Sequence, residues 1–157
     1  MAAIELAPMT QEQFDAWLPE AIAGYAAEHV ASGRWAEDEA LEKSREEHAT
    51  LLPQGPATPG HHLWSIVRSK DHEPVGLLWL GVIPKPPSGW IYNIEIFPPF
   101  RRRGYAEAAM LELEREVRRL GLGAIGLHVF AANSAARPLY EKLGYEPTNV
   151  IMSKRLT

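Results

Sequence analysis

At 157 residues, with 46% hydrophobic and 23% charged side chains, the chain is long enough for one domain with a sizeable core and too apolar for a disordered segment. The 16 Lys and Arg against 20 Asp and Glu give a pI near 5.9, which argues against a nucleic-acid partner, because a polyanion needs a broad basic surface. Cysteine is absent, which excludes disulfides, thiolate metal sites and a cysteine nucleophile; no stretch is apolar enough to span a bilayer or to begin a secretory signal, so the expected location is the cytoplasm, away from membranes.

In chain order, Thr10 opens the first helix. Phe14, Trp17, Leu18, Ile22, Tyr25 and Val30 recur behind it at helical spacing, Gln13 completes a capping box, and Gly33 ends the helix or its turn. A second helix is predicted from Ala36 to Leu52, with Glu37, Asp38 and Glu39 at the positive end of its dipole and Pro53 as its stop. Its acidic run EDEALEKSREE reads as a solvated helix face. PQGPATPGHH is a loop, and HLWSIVRS and PVGLLWLGVI, joined by the turn-like KDHE, read as an antiparallel strand pair. After the loop PKPPSG, the strand WIYNIEIF is closed by Pro98 and Pro99. From Arg102 to Leu120, Ala106, Ala109, Met110, Leu113 and Val117 form one apolar helical face, with Gly121 as C-terminal cap. AIGLHVF reads as a strand, NSAARPLYEKLG as a short helix and YEPTNVIMSKRL as a closing strand. Strand, helix, strand, helix implies a parallel pair joined by a crossover helix beside antiparallel strands. The expectation is an α/β mixed sheet with helices on its faces, in one domain over residues 1–157.

The stretch FRRRGYAEAA sets Arg101, Arg102, Arg103 and Gly104 where a strand's C-terminal end meets a helix N-terminus. Unpartnered backbone N–H groups and the helix dipole attract an anion there, and Gly104, without a Cβ, lets one approach the backbone. The spacing Arg101-x-x-Gly104-x-Ala106 is neither the dinucleotide fingerprint nor a P-loop. A solvated basic turn capping a helix also fits these residues taken alone.

Read together, IYNIEIFPPFRRRGYAEAAM and the downstream NSAARPLYEKLGY resemble the GCN5-related N-acetyltransferase family, in order and separation, over the chain from about Leu77 onward. The resemblance implies a mostly antiparallel central sheet with a splayed parallel strand pair and helices on both faces. It implies acetyl-CoA as cosubstrate, no metal, and an amine acceptor; a homodimer is left open. By the same resemblance the main-chain N–H groups of Arg102, Arg103, Gly104, Tyr105 and Ala106 hold the pyrophosphate, with Arg101 and the other arginines and Lys142 neutralising its charge. The pantetheine arm lies along Ile96, Phe97 and Pro98, and Asn133 bonds its amides or caps the last helix. Two departures stand out: Ala106 replaces the commoner glycine, and Pro138 sits early in the last helix, which is expected to begin irregularly.

Alternation along WIYNIEIF puts Asn93 and Glu95 on one face with Ile91 and Phe97, and Trp90, Tyr92, Ile94 and Ile96 on the other. A carboxylate within an apolar strand is costly unless it is paired or faces a wet cleft. The resemblance implies that Glu95 takes a proton from the acceptor ammonium, directly or through water, and that the Tyr140 hydroxyl sits near the thioester sulfur. Glu95 as a structural ion-pair partner, and Tyr140 as a packing aromatic, are the plainer alternatives. His61 and His62 read as isolated loop histidines, His128 as a core histidine, and Trp35, Trp64 and Trp79 as packing residues, with Trp35 able to border an acceptor pocket. The expected activity is acetyl transfer to a primary amine, a small molecule in the leading reading. A protein N-terminus or lysine as acceptor, and a non-catalytic CoA-binding sensor, are the alternatives.

Overall fold

The computed structural model describes residues 2–131 and 133–156. Five strands, β1 (Ile4–Pro8), β2 (His61–Arg68), β3 (Pro74–Ile83), β4 (Ser88–Ile96) and β5 (Ile125–Leu127), form one sheet in sequence order. All neighbours are antiparallel except β4 and β5, which run parallel. The crossover between that pair is α3 (Tyr105–Arg119), while α1 (Gln11–Ala31) and α2 (Glu37–Leu51) precede β2 and the short α4 (Arg137–Lys142) follows β5.

The capping box at α1 forms as expected. Thr10 Oγ1 accepts from the Gln13 N–H at 3.1 Å, and Gln13 Oε1 accepts from the Thr10 N–H at 2.9 Å. One face of the sheet carries α1, where Phe14 and Trp17 pack with Leu63, Leu77 and Trp79. The opposite face carries α3, whose Ala109, Met110 and Leu113 are fully buried against Ile66, Leu78, Leu80 and Ile91. Each such buried aliphatic side chain contributes about 1.5–3 kcal/mol of apolar burial, so the sheet is held from both sides.

Several expectations change. The strand β1 was not foreseen; its five residues pair with β2 from Ile4 opposite Arg68 to Pro8 opposite Trp64. Helix α3 starts at Tyr105 because Arg102 (φ 62°) and Gly104 (φ 82°) are left-handed and cannot belong to a right-handed helix. The segment AIGLHVF yields only the three residues of β5, and α4 is six residues long with Pro138 in its first turn. Residues 145–156 form no strand: Pro147 lacks a donor, β5 offers a three-residue edge, and Val150, Ile151, Met152 and Leu156 are exposed.

Strict alternation also fails in β4. Trp79 pairs with Asn93 but Leu80 pairs with Ile91, so Tyr92 is an extra residue, a β-bulge. Ile91 therefore enters the α3-side core, and Tyr92 joins Asn93 and Glu95 on the α1 and α2 side, its ring stacked on Trp79 at 4.6 Å. Parallel pairing with β5 covers only Gly89 to Ile91, and residues 92–96 run on with no strand beside that edge among the described residues. This is the splay expected of the parallel pair.

Tyr92 fits because Gly81 lies beneath it: a Cβ at Gly81 would sit 2.5 Å from Tyr92 Cε2. Gly81→Val is expected to lower unfolding free energy by about 1–3 kcal/mol in urea denaturation, the usual cost of overpacking. A variant as stable as the native chain would mean that the Tyr92 ring does not depend on this seat.

Candidate active site

Where β4 ends, a tight turn at Pro98–Phe100 leads to the basic run and α3. The Arg101 N–H donates to the Pro98 carbonyl at 3.3 Å, and Arg101 Nε donates to the Ile96 carbonyl at 2.8 Å. Phe97 is tied back to the sheet through its N–H on the Val75 carbonyl at 2.8 Å. Beyond Arg101, the backbone N–H groups of residues 102–107 have no acceptor among the described residues. A run of free donors bent through two left-handed residues, flanked by exposed Arg101, Arg102 and Arg103, suits a group with several anionic oxygens such as a diphosphate.

The start of α3 is tethered from β2. Arg68 donates to the Tyr105 hydroxyl at 3.4 Å and to both Asp71 carboxylate oxygens at 3.0 and 2.7 Å, and its guanidinium stands 5.6 Å from the Phe100 ring centroid. Tyr105 is buried, so only its backbone is available to a ligand. Lys142 reaches across from α4 to Glu107 in the first turn of α3, Nζ to Oε2 at 3.1 Å. Asn133 does not cap α4, whose N-cap is Ala136; its Oδ1 accepts from the Ala136 N–H at 3.2 Å and closes the turn that precedes the helix.

On the α1 and α2 side of β4 lies a cleft of about 380 Å³. Its strand wall is Trp79, Tyr92, Asn93 and half-buried Glu95, and its helix wall includes Glu20, Tyr25 and Glu28 of α1 and Glu47 and His48 of α2. Burial, and then the Glu47 carboxylate, push the Tyr25 phenol up to about 12, and burial raises the Glu28 carboxyl. His48 is 6% exposed and its Nδ1 lies 2.8 Å from the Ser44 carbonyl. That contact requires a proton on Nδ1, because a carbonyl oxygen only accepts. Arg101 lines the same cleft, so it bridges the two halves of the site.

The structure thus brings Glu95 and Arg101 together and sets the free N–H run beyond them at the end of β4. Tyr140 is elsewhere: it packs half-buried against the α3-side core, its ring 5.9 Å from that of Tyr145, and burial raises its phenol. Of the histidines, His61 belongs to β2 and accepts from Trp79 Nε1 at 3.0 Å, His62 stacks on Trp64, and His128 is exposed beside Phe130. None of the three is the loop or core residue expected. Trp64 and Trp79 pack as foreseen, and Trp35 stacks on His29 at 4.2 Å. Tyr25, Glu47 and His48 were missed. A signal existed, for Ser44 and His48 lie one turn apart among the charges of α2, the spacing of an inward-facing helix stripe.

The Acetyltransferase (GNAT) family model matches residues 19–145. The chain belongs to the GNAT acetyltransferase family. It is 39% identical over 155 residues to the N-acetyltransferase YycN of Bacillus subtilis, covering 98% of this chain and 99% of that protein, and 36% identical to YdgE of the same organism, with 98% and 99% covered. The crystal structure of YycN superposes with a TM-score of 0.91 at 40% identity, over 99% of both chains. The aminoglycoside acetyltransferase AAC(6')-Iy, solved with a bisubstrate analogue of CoA, shares the fold at a TM-score of 0.62 and 15% identity, with 99% of each chain covered. This GNAT chain is therefore an acyltransferase of a family that uses acetyl-CoA. Among the described residues no cluster of His, Asp or Glu suits a metal ion, and no helix is long and apolar enough to cross a membrane.

The Arg68 tether makes a pH prediction. Its guanidinium holds the Asp71 carboxyl down at about 2, from an ordinary 3.8, so the stabilisation is complete above the ordinary value and is lost as pH falls through the lower one. Between those two values the native protein should lose stability more steeply than Asp71→Asn in denaturant titrations. Equal slopes would mean that Asp71 contributes nothing to holding this turn.

Proposed function

We propose that the chain moves acetyl from acetyl-CoA to the primary amine of a small molecule, by direct attack in a ternary complex. The observation that carries this reading is the bare edge of β4 at residues 92–96, which joins the free N–H run after it to the Glu95 cleft beside it. An extended amide-bearing arm can pair with such an edge as an added strand. Its pyrophosphate end would then meet the N–H groups of residues 102–107 and the arginines, and its thioester end the cleft.

In this reading the amine lone pair attacks the thioester carbonyl carbon, an oxyanion forms, and the C–S bond breaks to release CoA thiolate. The proton lost by the amine goes to Glu95, directly or through one water, and the thiolate gains a proton from solvent or from a phenol. Tyr140 is the phenol that the family resemblance nominates. Burial raises its phenol, which keeps it protonated at neutral pH and able to donate. The Ile96 carbonyl, engaged by Arg101 Nε, has to be released for an arm to bond there, which assigns Arg101 a movable side chain.

One paired experiment tests this. Glu95→Gln should lower kcat/KM for an amine most at low pH, where the amine is protonated and needs a base, and the deficit should shrink as pH rises. Tyr140→Phe should lower kcat by about 10²-fold with acetyl-CoA affinity nearly unchanged. A Glu95→Gln deficit equal at every pH would assign that carboxylate to structure, and full activity in Tyr140→Phe would make the tyrosine a packing residue.

A further inference from the structure

Behind the strand wall of the Glu95 cleft, one hydrogen bond involves a histidine that the proposed reaction leaves unused. Trp79 is 3% exposed, and its indole N–H, which can only donate, goes to His61 Nδ1 at 3.0 Å. Trp79 and Tyr92 line the cleft; His61 does not. Across the β2 and β3 ladder His61 stands opposite Gly81, and the missing Cβ there leaves room for two rings: a Cβ would sit 2.5 Å from Tyr92 Cε2 and 3.3 Å from His61 Cε1. The three rings form one set, with centroids 6.0 Å apart for His61 and Trp79, 5.6 Å for His61 and Tyr92, and 4.6 Å for Trp79 and Tyr92.

Stacking fixes the tilt of an indole more firmly than its rotation within the ring plane, and a bond from its N–H removes that second freedom. Among the described residues the His61 nitrogen is the acceptor that Trp79 has. Trp17, edge-on at 5.7 Å, and His48, at 5.8 Å, supply contact alone: Trp17 Nε1 is itself without a partner, and His48 Nδ1 is engaged by the Ser44 carbonyl. In the next ladder Trp79 pairs with Asn93, two residues before Glu95. A shift of the indole would therefore move the wall beside that carboxylate.

Accepting at Nδ1 requires a lone pair there, so the imidazole is neutral with its proton on Nε2. A protonated ring carries N–H on both nitrogens and would meet the indole donor with another donor. The groups around His61 oppose that proton. They are His62 beside it on β2, Trp79 on β3 and the Tyr92 phenol on β4, and no carboxylate contributes; burial, and then His62, hold the imidazole below its ordinary 6.5. The bond is complete above the ordinary value and is lost as pH falls through the lower one.

We infer that His61 is a positioning residue for the acceptor: its Nδ1 lone pair holds the Trp79 indole, and with it the Tyr92 ring stacked there, as the fixed wall against which the amine is presented to Glu95. The kinetic consequence rests on the small-amine reading above, whereas the state of the wall does not.

Two variants separate the bond from the bulk. His61→Phe keeps a ring over Gly81 and removes the acceptor, while His61→Asn sets an amide oxygen near the place of Nδ1 and does not titrate. The first readout is the indole N–H signal of Trp79 in a proton–nitrogen NMR spectrum, assigned by its absence in Trp79→Phe. In the native protein it should lie downfield, as a bonded indole does, and move upfield as pH falls below 6.5 through the His61 value. It should keep its downfield position in His61→Asn and lie upfield at every pH in His61→Phe. The second readout is acetylation of hexylamine. His61→Phe should raise KM for hexylamine by about three- to tenfold, the equilibrium weight of one hydrogen bond, with kcat and KM for acetyl-CoA close to native, and His61→Asn should restore the native KM. As pH falls below 6.5 the native KM should rise relative to that of His61→Asn, a comparison in which titration of the amine and of Glu95 cancels.

A Trp79 signal unmoved by pH in the native protein, or unchanged in His61→Phe, overturns the inference, and so does a His61→Phe defect confined to kcat or one that His61→Asn does not repair. If His61→Phe does not fold, the native protein against His61→Asn gives the same decision. If the native protein leaves hexylamine unacetylated, the small-amine reading fails, and the Trp79 signal with the Tyr92 ring protons then decides alone: both titrating in the native protein and neither in His61→Asn upholds the fixed wall, and any other pattern ends it.

Discussion

The early end of the parallel ladder governs the rest of the molecule. β4 and β5 pair over three positions and then part at the bulge of Tyr92. An unpaired strand edge is normally a liability, because its N–H and C=O groups invite another chain. Here the edge is flanked by α1 on one side and by the basic turn on the other, so what it invites is a narrow extended ligand. The same bulge turns Tyr92 onto Trp79 and so builds the aromatic wall of the cleft. One inserted residue thus opens the sheet and shapes the pocket beside the opening.

Charge is divided along that strand in a way the net composition conceals. The chain is acidic overall, yet Arg101, Arg102 and Arg103 collect at the end of β4, while Glu20, Glu28, Glu47 and Glu95 collect around its middle. Fields of opposite sign over one elongated site would steer an anionic cosubstrate and a cationic acceptor to different ends of it. Arg101 stands at the boundary, in the Glu95 cleft and bonded to the strand carbonyl where the two halves meet. Side-chain ties steady this junction: the Arg68 to Tyr105 contact fixes the first turn of α3, and Lys142 with Glu107 ties α4 to it.

Much of this was legible in the sequence, and the reasons are local. The Thr10 and Gln13 pair, the apolar stripe of α3 and the Arg-x-x-Gly-x-Ala spacing are read within a few residues, and each gave the correct element or junction. That Glu95 faces a cleft was legible because a carboxylate in an apolar strand is costly unless it is paired or wet. What was lost is what depends on distant pairing. Nothing within WIYNIEIF announces the bulge, which follows from Tyr92 filling the space over Gly81 on β3. β1 is five residues with too short an alternation to register, and the acidic run of α2 looked like solvated surface although its last member, Glu47, faces the cleft. His48 was overlooked for the same reason, since its neighbours are tertiary: Trp17, Tyr25 and Trp79.

The central claim is that the N–H groups of residues 102–107 and the bare edge of β4 together hold acetyl-CoA. Amide-resolved NMR during titration with CoA tests it most directly, because it reads those backbone groups one by one. The account predicts the largest shifts and slowed hydrogen exchange at residues 102–107, with a second set along residues 92–97 and little change across α2. Shifts concentrated on α1 and α2, with residues 102–107 unmoved at saturation, would contradict it.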